Sequence, residues 1–150
     1  MNESGEYSWR RDPAVPRFPD EHPLIVFDGV CVLCSANAQF VLRRDRERCF
    51  RLTTAQGPLG QALYRHFGLP TSTYETMLVL QDGRLLTESE AALRIAEGLG
   101  WPWRAAGVLR LVPRPLRDGL YRLVARNRYR LFGRREQCWL PATGDRDRLL

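Results

Sequence analysis

Two cysteines three residues apart follow an aspartate in the run Asp28-Gly29-Val30-Cys31-Val32-Leu33-Cys34. Thiolates are nucleophiles near neutral pH, and two thiols at this spacing across the first turn of a helix can bring their sulfurs together. The unpaired amides of that turn then stabilise a thiolate on the first. Cys31, expected to be exposed at the helix start with Cys34 partly buried one turn further in, should attack a disulfide or peroxide, and Cys34 should resolve the mixed disulfide. Half a zinc site and two inert buried cysteines are the alternatives; zinc usually takes a second close pair, whereas Cys49 and Cys138 are isolated in sequence. Asp28 opposes thiolate formation by its charge, yet it could relay the proton of Cys34, or simply cap the local turn. No cation stands between the cysteines, so the pKa of Cys31 is expected to fall only modestly. That suits a reductant of disulfides or small oxidants better than a strong oxidant.

The elements around the pair must place it at the end of a strand. Leu24-Ile25-Val26-Phe27 is a compact apolar run suited to a buried strand, and Asp28-Gly29 ends it. From Cys31 the apolar residues recur at helical spacing until Arg43, Arg44 and Arg48. A second strand is expected over 50–54, a second helix over 58–67, a third strand over 76–81 and an antiparallel return over 84–87 through Asp82-Gly83. Thr87-Glu88-Ser89-Glu90 has capping-box spacing and should open a third helix ending near Gly98 or Gly100. Right-handed crossover makes the first two strands parallel, completes the sheet with the hairpin and covers both faces with helices. Residues 1–22, with prolines at 13, 16 and 19, are expected to be a flexible, dispensable tail, and 141–150 a second tail around a domain over 23–140.

At 150 residues the chain is long enough for one core without disulfide staples. Its 44% hydrophobic and 27% charged residues exclude a wholly disordered or collagen-like chain. No apolar run reaches the ~18 residues of a membrane span, and prolines and charges follow Arg10-Arg11 where an export signal would need an apolar stretch. A cytoplasmic location is expected, where cysteines tend to be catalytic, metal-binding or buried. All 23 basic residues are arginine, and residues 101–135 carry ten of them against one acid, Asp118. This helical extension, broken by Pro113 and Pro115, is expected to pack Leu116, Leu120, Leu123 and Val124 on the core and leave its arginines in water. The same block supports a non-enzymatic alternative, binding of anions, nucleic acid or a membrane surface. Nucleic acid is disfavoured because no recognised module pattern accompanies the charge, and a membrane surface because the core claims the leucine face.

The motif Asp28-x-x-Cys31-x-x-Cys34, preceded by Phe27, resembles the signature of the DCC family of thiol-disulfide oxidoreductase-like proteins. The likeness continues through Ser89-Glu90-Ala91-Ala92-Leu93, Leu111-Val112-Pro113-Arg114-Pro115 and Asn127 to Arg135, covering about residues 24–140. It implies a thioredoxin-like fold, here with an arginine-rich helical extension, a redox-active cysteine pair and no tightly bound cofactor. Expected partners are a disulfide-containing protein or a small thiol or disulfide. Thioredoxin-like enzymes carry a cis-proline before the third strand, where the neighbouring backbone pairs with substrate. Here Glu75-Thr76-Met77 fills that place, which makes Thr76 and Met77 the substrate-binding candidates and puts peptide binding in doubt. Glu88 and Ser89 look like the Glu-Ser element that holds the γ-glutamyl end of glutathione in glutathione transferases, so glutathione is a candidate co-substrate; capping alone also explains them.

Overall fold

The computed structural model describes residues 7–45, 48–69, 71 and 77–133 of the chain. The apolar run Leu24–Phe27 forms β1, the central strand of a four-stranded sheet ordered β2-β1-β3-β4, with β2 at Arg51–Thr54, β3 at Leu78–Gln81 and β4 at Arg84–Thr87. β1 runs parallel to β2, with Leu24 opposite Arg51, and antiparallel to β3, with Leu24 opposite Leu80. Asp82 and Gly83 both have positive φ, at 52° and 78°, as a two-residue type I′ hairpin requires. Helices α1 (Val32–Arg44), α2 (Pro58–His66) and α3 (Glu88–Gly98) follow β1, β2 and β4. This is the thioredoxin-like α/β arrangement expected from the sequence. Among the described residues no helix is long and apolar enough to cross a membrane.

Alternation along β1 builds two cores. Leu24 and Val26 face α2 with Leu63, Tyr64 and Leu78, while Ile25 and Phe27 face α1 and α3 with Val41, Phe50 and Ile95. Burial on both faces explains the unbroken apolar run.

Two parts of the chain depart from the sequence-based expectation. Residues 7–22 are not a loose tail: Trp9 and Val15 are buried in the core on the α2 side, and Phe18 packs against it. Asp20 fixes the segment by accepting from Trp9 Nε1 at 3.0 Å and from Arg10 Nε and Nη2 at 2.8 and 2.6 Å. Three prolines leave the stretch without periodicity, so its anchoring aromatics do not form a recognisable element.

The second departure is in the C-terminal extension, a 3-10 helix over Trp103–Leu111 followed by α4 over Arg114–Phe132. α4 turns the opposite way from the expected one. Leu116, Leu120, Leu123 and Val124 are exposed, and the residues it buries are Asp118, Ala125 and Arg128. The physical reason is that these inward polar groups meet partners on β1 and α3. Residues 134–150, including Cys138 and the expected terminal tail, lie outside the described residues.

Candidate functional site

The strand-to-helix junction holds the cysteines. Asp28, at the end of β1, accepts the Val30 N–H on Oδ1 at 3.1 Å, and its carbonyl accepts the Cys31 N–H at 3.3 Å, closing the turn. Cys31 has extended backbone angles and is the N-cap of α1. Its sulfur takes the place usually filled by a serine or aspartate oxygen, accepting the Cys34 N–H at 3.2 Å. Buried Ser35 donates its hydroxyl to the carbonyls of Gly29 (3.2 Å) and Cys31 (2.8 Å), pinning the turn from inside the helix.

This geometry separates the two thiols electrostatically. A hydrogen bond from the Cys34 thiol, with help from the Cys34 amide and the Arg128 charge, lowers the pKa of Cys31 to about 7 against the opposition of burial and Asp28. The same thiol–thiol contact, followed by burial, pushes the pKa of Cys34 far up. Above about pH 7 the pair keeps one proton, held on Cys34 while Cys31 carries the charge.

Exposure runs against the expectation of an open Cys31. Cys31 is 0% exposed, whereas Cys34 is only half-buried. The end of α4 meets the first turn of α1 here, where the Gly133 carbonyl accepts the Val32 N–H at 3.3 Å. Cys34 instead lines a pocket of about 220 Å³ with Phe27, Leu33, Met77, Tyr121 and Val124.

Asp28 proves to be the hub of a network reaching across the chain. Its Oδ1 also accepts Gln56 Nε2 at 2.6 Å; its Oδ2 accepts Arg128 Nη2 at 3.1 Å and the Tyr129 hydroxyl. With Val30 that makes four donors, matching the four lone-pair sites of a carboxylate. Burial alone would lower the pKa of Arg128, but the Asp28 bond and the charges of Tyr129, Cys34 and Asp28 together raise it. Burial and the Asp28 bond push Tyr129 up to about 12, so it remains a donor at neutral pH. These four donors hold the carboxylate in place, and the bond from the Val30 N–H caps the turn. Gln56, Tyr121, Arg128 and Tyr129 were not singled out as site residues by the sequence. They lie 28 to 101 positions from Asp28, and no local spacing ties them to it.

The other candidates divide. Met77 joins Cys34 in the pocket, and its N–H donates to the Tyr121 hydroxyl at 3.1 Å. Thr76 lies outside the described residues. Glu88 and Ser89 are engaged by α4: Ser89 donates its N–H (3.3 Å) and its hydroxyl to Asp118 Oδ1, and Glu88 Oε1 accepts Arg122 Nε at 3.1 Å. Asp118 therefore occupies the groups that would receive a glutathione carboxylate. It also replaces the expected capping box, since Thr87, the N-cap of α3, makes no side-chain cap bond. Cys49 is half-buried, with its N–H on Asp45 at 3.2 Å.

A second constellation has the connectivity of a hydrolytic triad. Ser8 Oγ lies 2.8 Å from His66 Nε2, and His66 Nδ1 lies 2.8 Å from Asp12 Oδ2. Ser8 is only 3% exposed, and the neighbouring pocket is lined by Trp9, Val15, Phe18 and Asp20 without it. With the Ser8 hydroxyl buried, the three residues form a clasp between the N-terminal segment and α2.

A buried strand ending in a thiol-capped helix, within a thioredoxin-like sheet, defines a dithiol protein of the thiol-disulfide exchange class. The family model for DCC1-like thiol-disulfide oxidoreductases matches residues 25–134, and the chain belongs to that family. It is 37% identical over 127 residues to the uncharacterized protein YuxK of Bacillus subtilis (strain 168), covering 85% of this chain and 93% of that protein. It is also 35% identical over 122 residues to the DCC family protein At1g52590, chloroplastic, of Arabidopsis thaliana, covering 81% of this chain and 71% of the relative. No solved structure matches the chain.

Proposed function

We propose that the protein is a dithiol reductant in which Cys31 attacks and Cys34 resolves. The observation carrying this is the thiol cap of α1, where the Cys34 amide and thiol both point at the Cys31 sulfur and lower its pKa to about 7. A pKa near 7 is the range of reducing dithiols; strongly oxidising ones lie nearer ~3.5. The Cys31 thiolate attacks one sulfur of a disulfide RSSR, the substrate S–S bond breaks, and RS⁻ leaves. Cys31 is then uncharged in the mixed disulfide, so the main influence holding the proton on Cys34 disappears. That proton passes to the departing thiolate or to water without a relay through Asp28. Cys34 attacks the Cys31 sulfur, forming the intramolecular disulfide and releasing the second RS⁻. Two protein thiols are oxidised, and one disulfide is reduced to two thiols.

The substrates are disulfide-containing proteins or small disulfides, and a reducing compartment such as the cytoplasm would keep the pair in its active form. The anion-binding alternative has less support: Arg110, Arg114, Arg117, Arg122 and Arg128 are all directed to carboxylates of the fold itself.

Mass analysis after alkylation, with and without reduction, tests the reading. Mild oxidation should remove two alkylation sites, and peptide mapping should place the loss at Cys31 and Cys34. If both remain alkylatable, the reading is wrong. The attack rate should rise with pH through about 7 and level off above it, because the deprotonated form is the reactive one. A flat profile from pH 6 to 9 would contradict the assignment of the thiolate to Cys31.

A further inference from the structure

The pocket beside Cys34 is enclosed on one side by α4, through Tyr121, Val124 and Ala125, and on the other by Phe27, Leu33 and Met77. Its size is informative. At about 220 Å³ it exceeds the ~150 Å³ cavity that holds a benzene ring but falls below the ~300 Å³ lower end of drug-sized sites. One ring-sized or branched aliphatic group fits.

Its charge is informative as well. Asp28 and Arg128 are its charged lining residues, and they are bound to each other at 3.1 Å, so the floor offers no net charge to a carboxylate. The N-terminus of α3, at Ser89, is filled by Asp118. An extended peptide meets a different obstacle, because the Met77 N–H at the start of the third-strand region is already donated to Tyr121. The backbone pairing by which a peptide would add to this edge is occupied at that position.

Building on the dithiol reading above, we propose that this pocket is the substrate site for low-molecular-weight disulfides bearing one uncharged, ring-sized apolar half, which it seats against Cys34. The seated sulfur lies beside Cys34, whose amide and thiol bond the Cys31 sulfur behind it. Exchange then follows the balanced course given above: the substrate S–S bond breaks, Cys31–Cys34 becomes the disulfide, and both halves leave as thiols.

The experiment is single-turnover reduction of three probes by the fully reduced protein. They are neutral dipyridyl disulfide, dianionic dithiobis(nitrobenzoate), and a mixed disulfide on a short peptide with phenylalanine beside its cysteine. Each rate is divided by that of free dithiothreitol with the same probe, which removes intrinsic reactivity. The neutral aromatic probe should be favoured by about tenfold or more over both others, the scale on which small apolar pockets discriminate. This is a demanding outcome, because the net charge of +6 steers anions toward the protein. Ala92, exposed at the pocket mouth on α3, is the place to obstruct it; Ala92→Trp should bring the preference close to one, and Val124→Trp should do the same from the α4 side. Faster reduction of the dianion or the peptide, or a preference unchanged in both folded variants, overturns the proposal. If no probe yields the Cys31–Cys34 disulfide by mass, the underlying dithiol reading fails instead, so the two failures are distinguishable.

Discussion

The two faces of α4 differ in a way that reverses the usual rule of burial. Its inward stripe is Asp118, Tyr121, Ala125 and Arg128; its outward stripe includes Leu116, Leu120, Leu123 and Leu131, each 59–65% exposed. Both stripes have helical spacing, so periodicity alone cannot choose between them. Magnitudes do not decide it from the sequence either. Burying each leucine would gain about 1.5–3 kcal/mol. Rolling the helix to do so would strand Asp28 without its cation, at roughly 3–5 kcal/mol, and leave Ser89 and the Met77 N–H without partners at about 1–3 kcal/mol each. The sums are of the same order, and partner identity decides the outcome. α4 is thereby a wall of the site: it supplies the cation for Asp28, a bond to the first turn of α1 and one side of the pocket.

The strongest way to break this comparison is at Arg128. Its side chain is 5% exposed against 1% for Asp28, so the pair is buried on both sides. Arg128→Met should destabilise the protein by roughly 3–5 kcal/mol in urea unfolding, because a buried carboxylate loses its counter-charge. Adding Asp28→Asn should recover part of that loss, since the two changes couple. A loss below about 1 kcal/mol would mean that the inward stripe does not hold the helix.

Asp118→Ala should follow, at about 1–3 kcal/mol, by leaving the Ser89 amide and hydroxyl without an acceptor. Tyr121→Phe should cost less, about 0.5–1.5 kcal/mol for one hydrogen bond to the Met77 N–H. Hydrogen exchange at Met77 sharpens that case, because the amide should become less protected in the variant while the centre of β1 remains unchanged.

The legible part of the molecule is the part written in local pattern. The run Leu24–Phe27, the Asp82-Gly83 turn and the helical spacing after Cys31 each report their element within a few residues. Two parallel strands plus a hairpin leave few topologies to choose from. The cysteine pair was legible for the same reason, as a three-residue spacing at a strand end. What was not legible depends on distance along the chain. Arg128 meets Asp28 from 100 positions away, and the clasp of Ser8 and His66 spans 58. Nor does local spacing show that the first turn of α1, beside the cysteines, is bonded by Gly133 from the far end of α4. The N-terminal segment is illegible because Trp9 sits on a single 3-10 turn, Ser8–Arg11, and Val15 on irregular chain, so neither carries a period that the sequence displays.

The smallest effect is expected at Leu120, and it discriminates well because the amphipathic reading of the sequence requires a large one. A leucine on the buried face of a helix typically loses 2–5 kcal/mol on truncation to alanine. Leu120 is 65% exposed, so most of its apolar surface is already in water and truncation opens no cavity. Alanine also has the higher helix propensity, which offsets part of the remaining contact loss. The change in unfolding free energy of the isolated protein should therefore lie within about 0.5 kcal/mol, as for other surface positions. A midpoint shift with an unchanged urea slope would report stability alone. Should Leu120→Ala cost 2 kcal/mol or more while Arg128→Met costs little, α4 would sit the other way round. Asp28 would then lose its partner, and the pocket its wall.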